Sequence, residues 1–270
     1  MYHLQGSIVV FDSGIGGITV LETCKKRLPD RTFCYYGDND NAPYGNLPPE
    51  RICALVFSAV DKIALLYPAA VVLGCNTATA LCAEQLRLRY SFPVIGAEPA
   101  VALGAKRGGE VYVLTTRATN ESARFRALCA RVTNLYPNGT LVPIACDDLA
   151  GAIERSPFYA ETHLEKYLPK GNPQAVVLGC THYIYWKDEI AHFYGCQTLD
   201  GNDGIARRLC SVLSETAKKQ GRISTPIHLC PQAATKDVER VDLPRLGAPV
   251  YVIGTQKKRN ANTIKQMFAF

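Results

Sequence analysis

Two cysteines carry the chemical promise of this chain. The run Val71-Val72-Leu73-Gly74-Cys75 recurs as Val176-Val177-Leu178-Gly179-Cys180, and each copy ends in a thiol followed by small polar residues, Asn76-Thr77 in one and Thr181-His182 in the other. Apolar β-branched runs of this kind predict buried parallel strands, and open α/β sheets gather ligands at the carboxyl ends of such strands. Two thiols so delivered face one substrate from opposite sides. A lone Gly-Cys after a buried strand is usually an inert core thiol, the reading kept for Cys82, Cys129 and Cys210. The matched contexts of Cys75 and Cys180 argue for function.

Positioning such a pair requires a repeated scaffold, and the periodicity predicts one. Ile8 to Phe11 reads as a strand ended by Asp12-Ser13-Gly14-Ile15-Gly16-Gly17, followed by a helix with Ile18, Leu21 and Leu28 on one face. A strand at Phe33 to Tyr36 follows, then a helix opened by Pro48-Pro49-Glu50, the first VVLGC strand, a helix at Ala78 to Leu88 and a strand at Pro93 to Ile95. The order repeats with a strand at Val111 to Leu114, a helix from Ser122 to Val132, a strand at Leu141 to Ile144, a helical region from Leu149 to Leu168 interrupted near Pro157, and the second VVLGC strand. Cys75 and Cys180 lie 105 positions apart, and Ile8 and Val111 lie 103 apart. The expectation is an α/β fold of two similar domains with mainly parallel sheets, related by pseudo-two-fold symmetry, with the active site in the cleft between them. Residues 1–97 and 208–270 would form the first domain and residues 98–207 the second. A helix around Gly204 to Lys219 and strands near Ile227 and Val250 would pack back onto the first.

Composition narrows the class. At 270 residues with 47% apolar content the chain is globular, and no apolar run reaches the roughly 18 residues of a membrane span. The N-terminus is too polar for a signal peptide, and eleven scattered cysteines without a CxxC fit a reducing compartment, so a cytoplasmic protein is expected. The histidines lack metal-ligand spacing, so no metal site is expected. The net charge of +6 is spread along the chain. Its densest cluster, Lys257-Lys258-Arg259, reads as a solvated face, and nucleic-acid binding is disfavoured. Glycines at 14, 16 and 17 would leave amides bare at a helix start as a cradle for a substrate carboxylate.

Four motifs in order carry a resemblance: Phe11-Asp12-Ser13-Gly14-Ile15-Gly16-Gly17, Tyr36-Gly37-Asp38 with Pro43-Tyr44-Gly45, Cys75-Asn76-Thr77-Ala78, and Gly179-Cys180-Thr181-His182-Tyr183. Together they resemble the glutamate racemases of the cofactor-independent aspartate/glutamate racemase superfamily. The resemblance implies interconversion of L- and D-glutamate with no cofactor, with Cys75 and Cys180 as base and acid on opposite faces of the α-carbon. Cysteine suits both tasks, since its reference pKa of about 8.5 can be tuned by neighbours. It also implies Asp12 and His182 as tuners of the thiols and Glu154 as an acid beside His182. Substrate contacts would come from Asp12, Ser13, Pro43, Tyr44, Gly45, Asn76, Thr77, Thr116, Thr119, Thr181 and His182. A homodimer and a supply of D-glutamate for peptidoglycan synthesis are further implications.

The chain departs from that pattern in places. Ile184-Tyr185-Trp186 follows Tyr183 where proline is usual, and Asp200-Gly201-Asn202-Asp203 and the stretch around Cys230-Pro231 differ from the common Ser-Gly-Asp forms. Two alternatives stand beside glutamate racemisation: a sister racemase of aspartate or another amino acid, and a non-catalytic regulator on the same scaffold. A pyridoxal-dependent racemase is disfavoured, because no lysine occupies a strand end comparable to the two cysteines.

Overall fold

The computed structural model describes residues 4–158, 163–220, 238–242 and 249–267. The first half runs β1 (Ile8–Asp12), α1 (Ile18–Arg27), β2 (Phe33–Gly37), α2 (Pro49–Ala64), β3 (Ala70–Leu73), α3 (Asn76–Arg89) and β4 (Val94–Gly96). The second runs α4 (Val101–Ala105), β5 (Gly109–Thr115), α5 (Arg117–Asn120), α6 (Ala123–Leu135), β6 (Gly139–Ala145), α7 (Leu149–Arg155), β7 (Ala175–Leu178), α8 (Lys187–Tyr194) and β8 (Gln197–Leu199). The chain closes with α9 (Asn202–Gln220), β9 (Glu239–Val241), β10 (Val250–Gly254) and α10 (Lys257–Met267).

The strands form two sheets, β4-β3-β1-β2-β10-β9 and β6-β5-β7-β8. Reversing the second as β8-β7-β5-β6 sets it strand for strand on the first four strands of the other, so the duplicated spacing in the sequence is a duplicated topology. The registers repeat as well. Phe11 lies opposite Leu73 in parallel pairing, and Leu114 lies opposite Leu178. The amide of Gly74 then donates to the Phe11 carbonyl at 2.7 Å, as that of Gly179 does to Leu114, also at 2.7 Å. Cys75 and Cys180 therefore leave equivalent strands at the same level, one residue beyond that last ladder bond. Among the described strands only β9 runs antiparallel, along β10.

Both sheets are covered on both faces, which is why their central strands read as unbroken apolar runs. Alternate residues of β1 serve different cores: Ile8 and Val10 join α1 and α9, whereas Val9 and Phe11 join α2 and α3. In the second sheet Val111, Val113 and Val177 face α4 and α6, and Leu114, Val176 and Leu178 face α7 and α8. Val71, Val72 and Leu73 are fully buried, and each such side chain contributes about 1.5–3 kcal/mol of transfer free energy. That burial makes the strand ends rigid platforms for the two cysteines.

Some elements differ from the sequence expectation. The helical region expected from Leu149 to Leu168 breaks near Pro157 as expected, α7 ending at Arg155, and the element described beyond the break is a 3₁₀ turn at Leu164–Lys166. Helix α3 starts at Asn76, earlier than expected, because Cys75 caps it. Helix α9 places Ile205, Ala206, Leu209 and Leu213 in the core of the first sheet, so it packs with that sheet from its first turns and runs unbroken past residue 207. The strand expected near Val250 is β10, parallel to β2. The one expected near Ile227, with the stretch around Cys230, lies outside the described residues.

Candidate active site

The Cys75 sulfur sits at the start of α3, where it accepts the Ala78 amide at 3.5 Å and lies 3.7 Å from the Ser13 hydroxyl. Burial pushes this thiol up to about 12, the Asp12 carboxylate pushes it the same way, and the Ala78 amide and Ser13 pull weakly against them. A charge on Cys180 also acts on Cys75, which places both sulfurs in one electrostatic neighbourhood. Asp12, at the carboxyl end of β1, is fully buried. Its Oδ1 accepts the Gly14 amide at 2.8 Å, and its Oδ2 accepts the Thr181 hydroxyl from the second half at 3.3 Å. Burial holds its carboxyl above the usual range, more strongly than nearby His182 lowers it. Asp12 thus holds a proton more readily than an ordinary carboxylate does.

Cys180 is followed by a 3₁₀ turn, Thr181–Trp186, rather than an α-helix. The turn folds His182 back so that its Nδ1 lies 3.8 Å from the Cys180 sulfur, while its Nε2 lies 2.5 Å from Glu154 Oε2 at the end of α7. Burial alone would lower the imidazole, but its bonds to Cys180 and Glu154 outweigh that and hold it well above 6.5. Burial likewise works against an ionised Glu154, yet His182, the Ile15 amide and Arg259 hold it below its ordinary value. The pair is therefore an imidazolium and a carboxylate. Each Glu154 oxygen has two donors: Oε2 takes His182 and the Ile15 amide at 3.1 Å, and Oε1 takes Asn39 Nδ2 at 3.2 Å and Arg259 Nη1 at 3.1 Å.

The remaining expected residues ring the same region. Thr77, Thr116 and Thr119 form a hydroxyl cluster across the two halves, with Thr77 2.9 Å from Thr116 and 3.3 Å from Thr119, and Thr116 donating to Thr119 at 3.0 Å. Asn76 donates to the Ala97 carbonyl at 3.3 Å. Pro43 precedes a 3₁₀ turn, Tyr44–Asn46, in which the Tyr44 hydroxyl donates to Asp38 at 2.7 Å. Gly45 meets the second half so closely that a Cβ there would lie 2.7 Å from Thr116. Among the described residues no group of three or more His, Cys, Asp or Glu side chains is arranged to hold a metal ion.

Two expectations are corrected by this geometry. Three amides of the glycine loop are not bare: those of Gly14 and Gly17 serve Asp12, and that of Ile15 serves Glu154. The loop's glycines instead permit close approach. A Cβ on Gly14 would lie 2.3 Å from Glu154 Oε2, and one on Gly16 would lie 2.5 Å from His182 Nδ1. The basic run at residues 257–259 is not wholly a solvated face either, because Arg259 turns inward onto Glu154. Sequence reasoning missed Asn39, Arg259 and Asn260. The one signal available for them was the basic run itself.

Known proteins resemble this chain in sequence and in fold. The family model for Asp/Glu/hydantoin racemases matches residues 19–209. The glutamate racemase of Clostridium perfringens is 34% identical over 229 residues, covering 79% of this chain and 87% of that protein. That of Clostridium acetobutylicum is 37% identical over 213 residues, covering 75% and 82%. Among solved structures, Escherichia coli glutamate racemase in complex with L-glutamate and the activator UDP-MurNAc-Ala superposes with a TM-score of 0.74 at 26% identity, covering 98% of this chain and 95% of that one.

Proposed function

The chain belongs to the Asp/Glu/hydantoin racemase family, and from that premise we propose that it interconverts L- and D-glutamate without a cofactor by passing the α-proton between Cys75 and Cys180. The observation that carries the reading is the pairing at equivalent strand ends: each buried thiol has its own proton-holding neighbour, Asp12 by Cys75 and His182 by Cys180.

In one direction a thiolate takes the α-hydrogen, its S–H bond forming as the Cα–H bond breaks, and the electron pair spreads into the α-carboxylate as the carbon flattens. The opposite thiol then gives its proton to the other face, and the returning pair forms the new Cα–H bond. Cys75 rests as a thiol, so its role as base requires prior proton loss, for which Asp12 is the acceptor; its role as acid requires nothing further. His182, held as an imidazolium by Glu154, is instead a proton donor directed at the Cys180 sulfur. Ser13, Asn76, Thr181 and the Thr77, Thr116 and Thr119 hydroxyls bind the ammonium and carboxylate groups, with Pro43, Tyr44 and Gly45 closing the site.

Glutamate is preferred over aspartate because the relatives at 34% and 37% identity are glutamate racemases. The product D-glutamate would serve peptidoglycan synthesis. We place the enzyme in the reducing cytoplasm, a reading supported by ten free cysteines among the described residues.

Purified protein without added cofactor should convert either enantiomer, and in D₂O the product should carry deuterium at Cα. Cys75→Ser and Cys180→Ser should each lower turnover by at least about 10³-fold while leaving the fold intact. Wild-type turnover in either variant would overturn the two-thiol assignment. Faster turnover of aspartate would move the substrate to the sister activity.

A further inference from the structure

The C-terminal helix reaches the chemistry from outside the family-matched stretch, which ends at residue 209. Arg259 on α10 places Nη1 3.1 Å from Glu154 Oε1, and its other terminal nitrogen donates to the Glu154 main-chain carbonyl at the end of α7. The next residue, Asn260, is wholly buried and donates to Asn39 Oδ1 at 2.8 Å, and Asn39 in turn donates to Glu154 Oε1. Helix α10 therefore holds one carboxylate oxygen twice, once directly and once through Asn39. The other oxygen is left to His182 and the Ile15 amide.

A carboxylate turns readily about its last torsion unless its oxygens are held differently. With Oε1 pinned, Oε2 stays on the imidazole, and the ring stays directed at the Cys180 sulfur. An ordinary surface ion pair contributes little. Here the Glu154 side chain is only 8% exposed, with Arg259 reaching it from the solvent side at 37%. Among the described residues, Asp12 from β1, Tyr35 from β2, and Cys180 and Tyr185 at the 3₁₀ turn also act on Glu154 or His182, and none of these brings positive charge.

Building on the two-thiol reading, we propose that Arg259 is a positioning residue: it fixes Glu154 from the C-terminal helix so that His182 is held against Cys180 for proton transfer. Because the two enantiomers have equal free energy in water, kcat/KM must be equal in both directions for every variant. The informative quantity is thus its pH profile, with kcat and KM compared separately in each direction.

The test compares wild type, Arg259→Met and Arg259→Lys. Misplacement of a catalytic group by Arg259→Met should lower kcat/KM roughly 10- to 100-fold. The acid limb of its profile should move to higher pH, because without the cation Glu154 takes up a proton sooner. Arg259→Lys should return the limb toward the wild-type position while recovering only part of the rate, since an ammonium lacks the fork that spans side-chain and main-chain oxygens. A fall in rate with an unmoved acid limb would overturn the proposal, marking Arg259 as merely structural. A ¹³C titration of the Glu154 carboxyl in the same proteins reads the same shift without turnover. An unmoved carboxyl overturns the Arg259 assignment, whereas an inactive wild type with a shifted carboxyl overturns only the racemase reading.

Discussion

At the scale of single residues, the two thiols share a strand position but not an environment. Cys75 caps a full helix beside a carboxyl group, and Cys180 enters a tight turn beside an imidazolium. Under the proposed two-thiol reading, one fold thus presents two acid–base couples of different make-up to a symmetric reaction. The thiolate is the reactive form toward alkylating agents, and with its thiol pushed up to about 12 Cys75 is ionised at pH 8 to roughly one part in 10⁴. Iodoacetamide should therefore label Cys75 slowly at that pH. Asp12→Asn should speed the labelling, since the Asp12 charge contributes to the raised value. Peptide mass spectrometry over time reads both rates, and slower labelling in the variant would reverse the assigned direction.

At the scale of elements, the loop from Asp12 to Gly17 does more than end β1. It carries Asp12, whose Oδ2 accepts the Thr181 hydroxyl, and its Ile15 amide donates to Glu154, so the first half grips the second through side chains of the candidate site. Its glycines are required for that approach. Gly16→Ala drives a methyl to 2.5 Å from His182 Nδ1 and 2.6 Å from Thr181 Oγ1, and such overpacking should cost about 1–3 kcal/mol. Turnover should fall with it. Gly204→Ala in α9 meets nothing within 4 Å and should stabilise by about 0.5 kcal/mol, because alanine loses less backbone freedom in a helix. Urea unfolding distinguishes the two, and equal effects would refute the close-approach argument. The Ile184-Tyr185-Trp186 departure also has an element-scale account. Tyr185 donates to the Ile15 carbonyl at 3.0 Å, and Trp186 donates to the Ser156 carbonyl at 3.2 Å, so both brace the turn that carries His182.

At the scale of the molecule, Glu154 joins three parts of the chain: His182 of its own half, Ile15 and Asn39 of the first, and Arg259 of the C-terminal helix. Its ionisation is therefore linked to global stability. Glu154 is depressed from 4.5 in the folded chain, so its contribution is complete above that pH and lost as pH falls through the lower folded value. His182 is raised above 6.5, so its contribution is complete below that pH and lost as pH rises through the raised value. The difference in unfolding free energy between wild type and Glu154→Gln should peak between about pH 4.5 and 6.5 and shrink on both sides. Chemical denaturation across pH measures it, and a difference that does not vary with pH would show that the pair is not ionised.

The alternating apolar runs, the repeated VVLGC and the four motifs already specified two parallel α/β units and the residues that surround the site, because strand burial and strand-end chemistry are written in local order. The start of the helix after Cys75 was less legible, since a sulfur cap leaves a weak local mark. Arg259, Asn260 and Asn39 were hidden for a stronger reason. Their partners lie more than a hundred residues away or in a different element, and only the packing of β10 beside β2 swings α10 over Glu154. The same holds for the glycine loop, which local pattern assigns to an external anion and which the folded chain fills with carboxylates of its own, because tertiary contact brings Asp12 and Glu154 to those amides first.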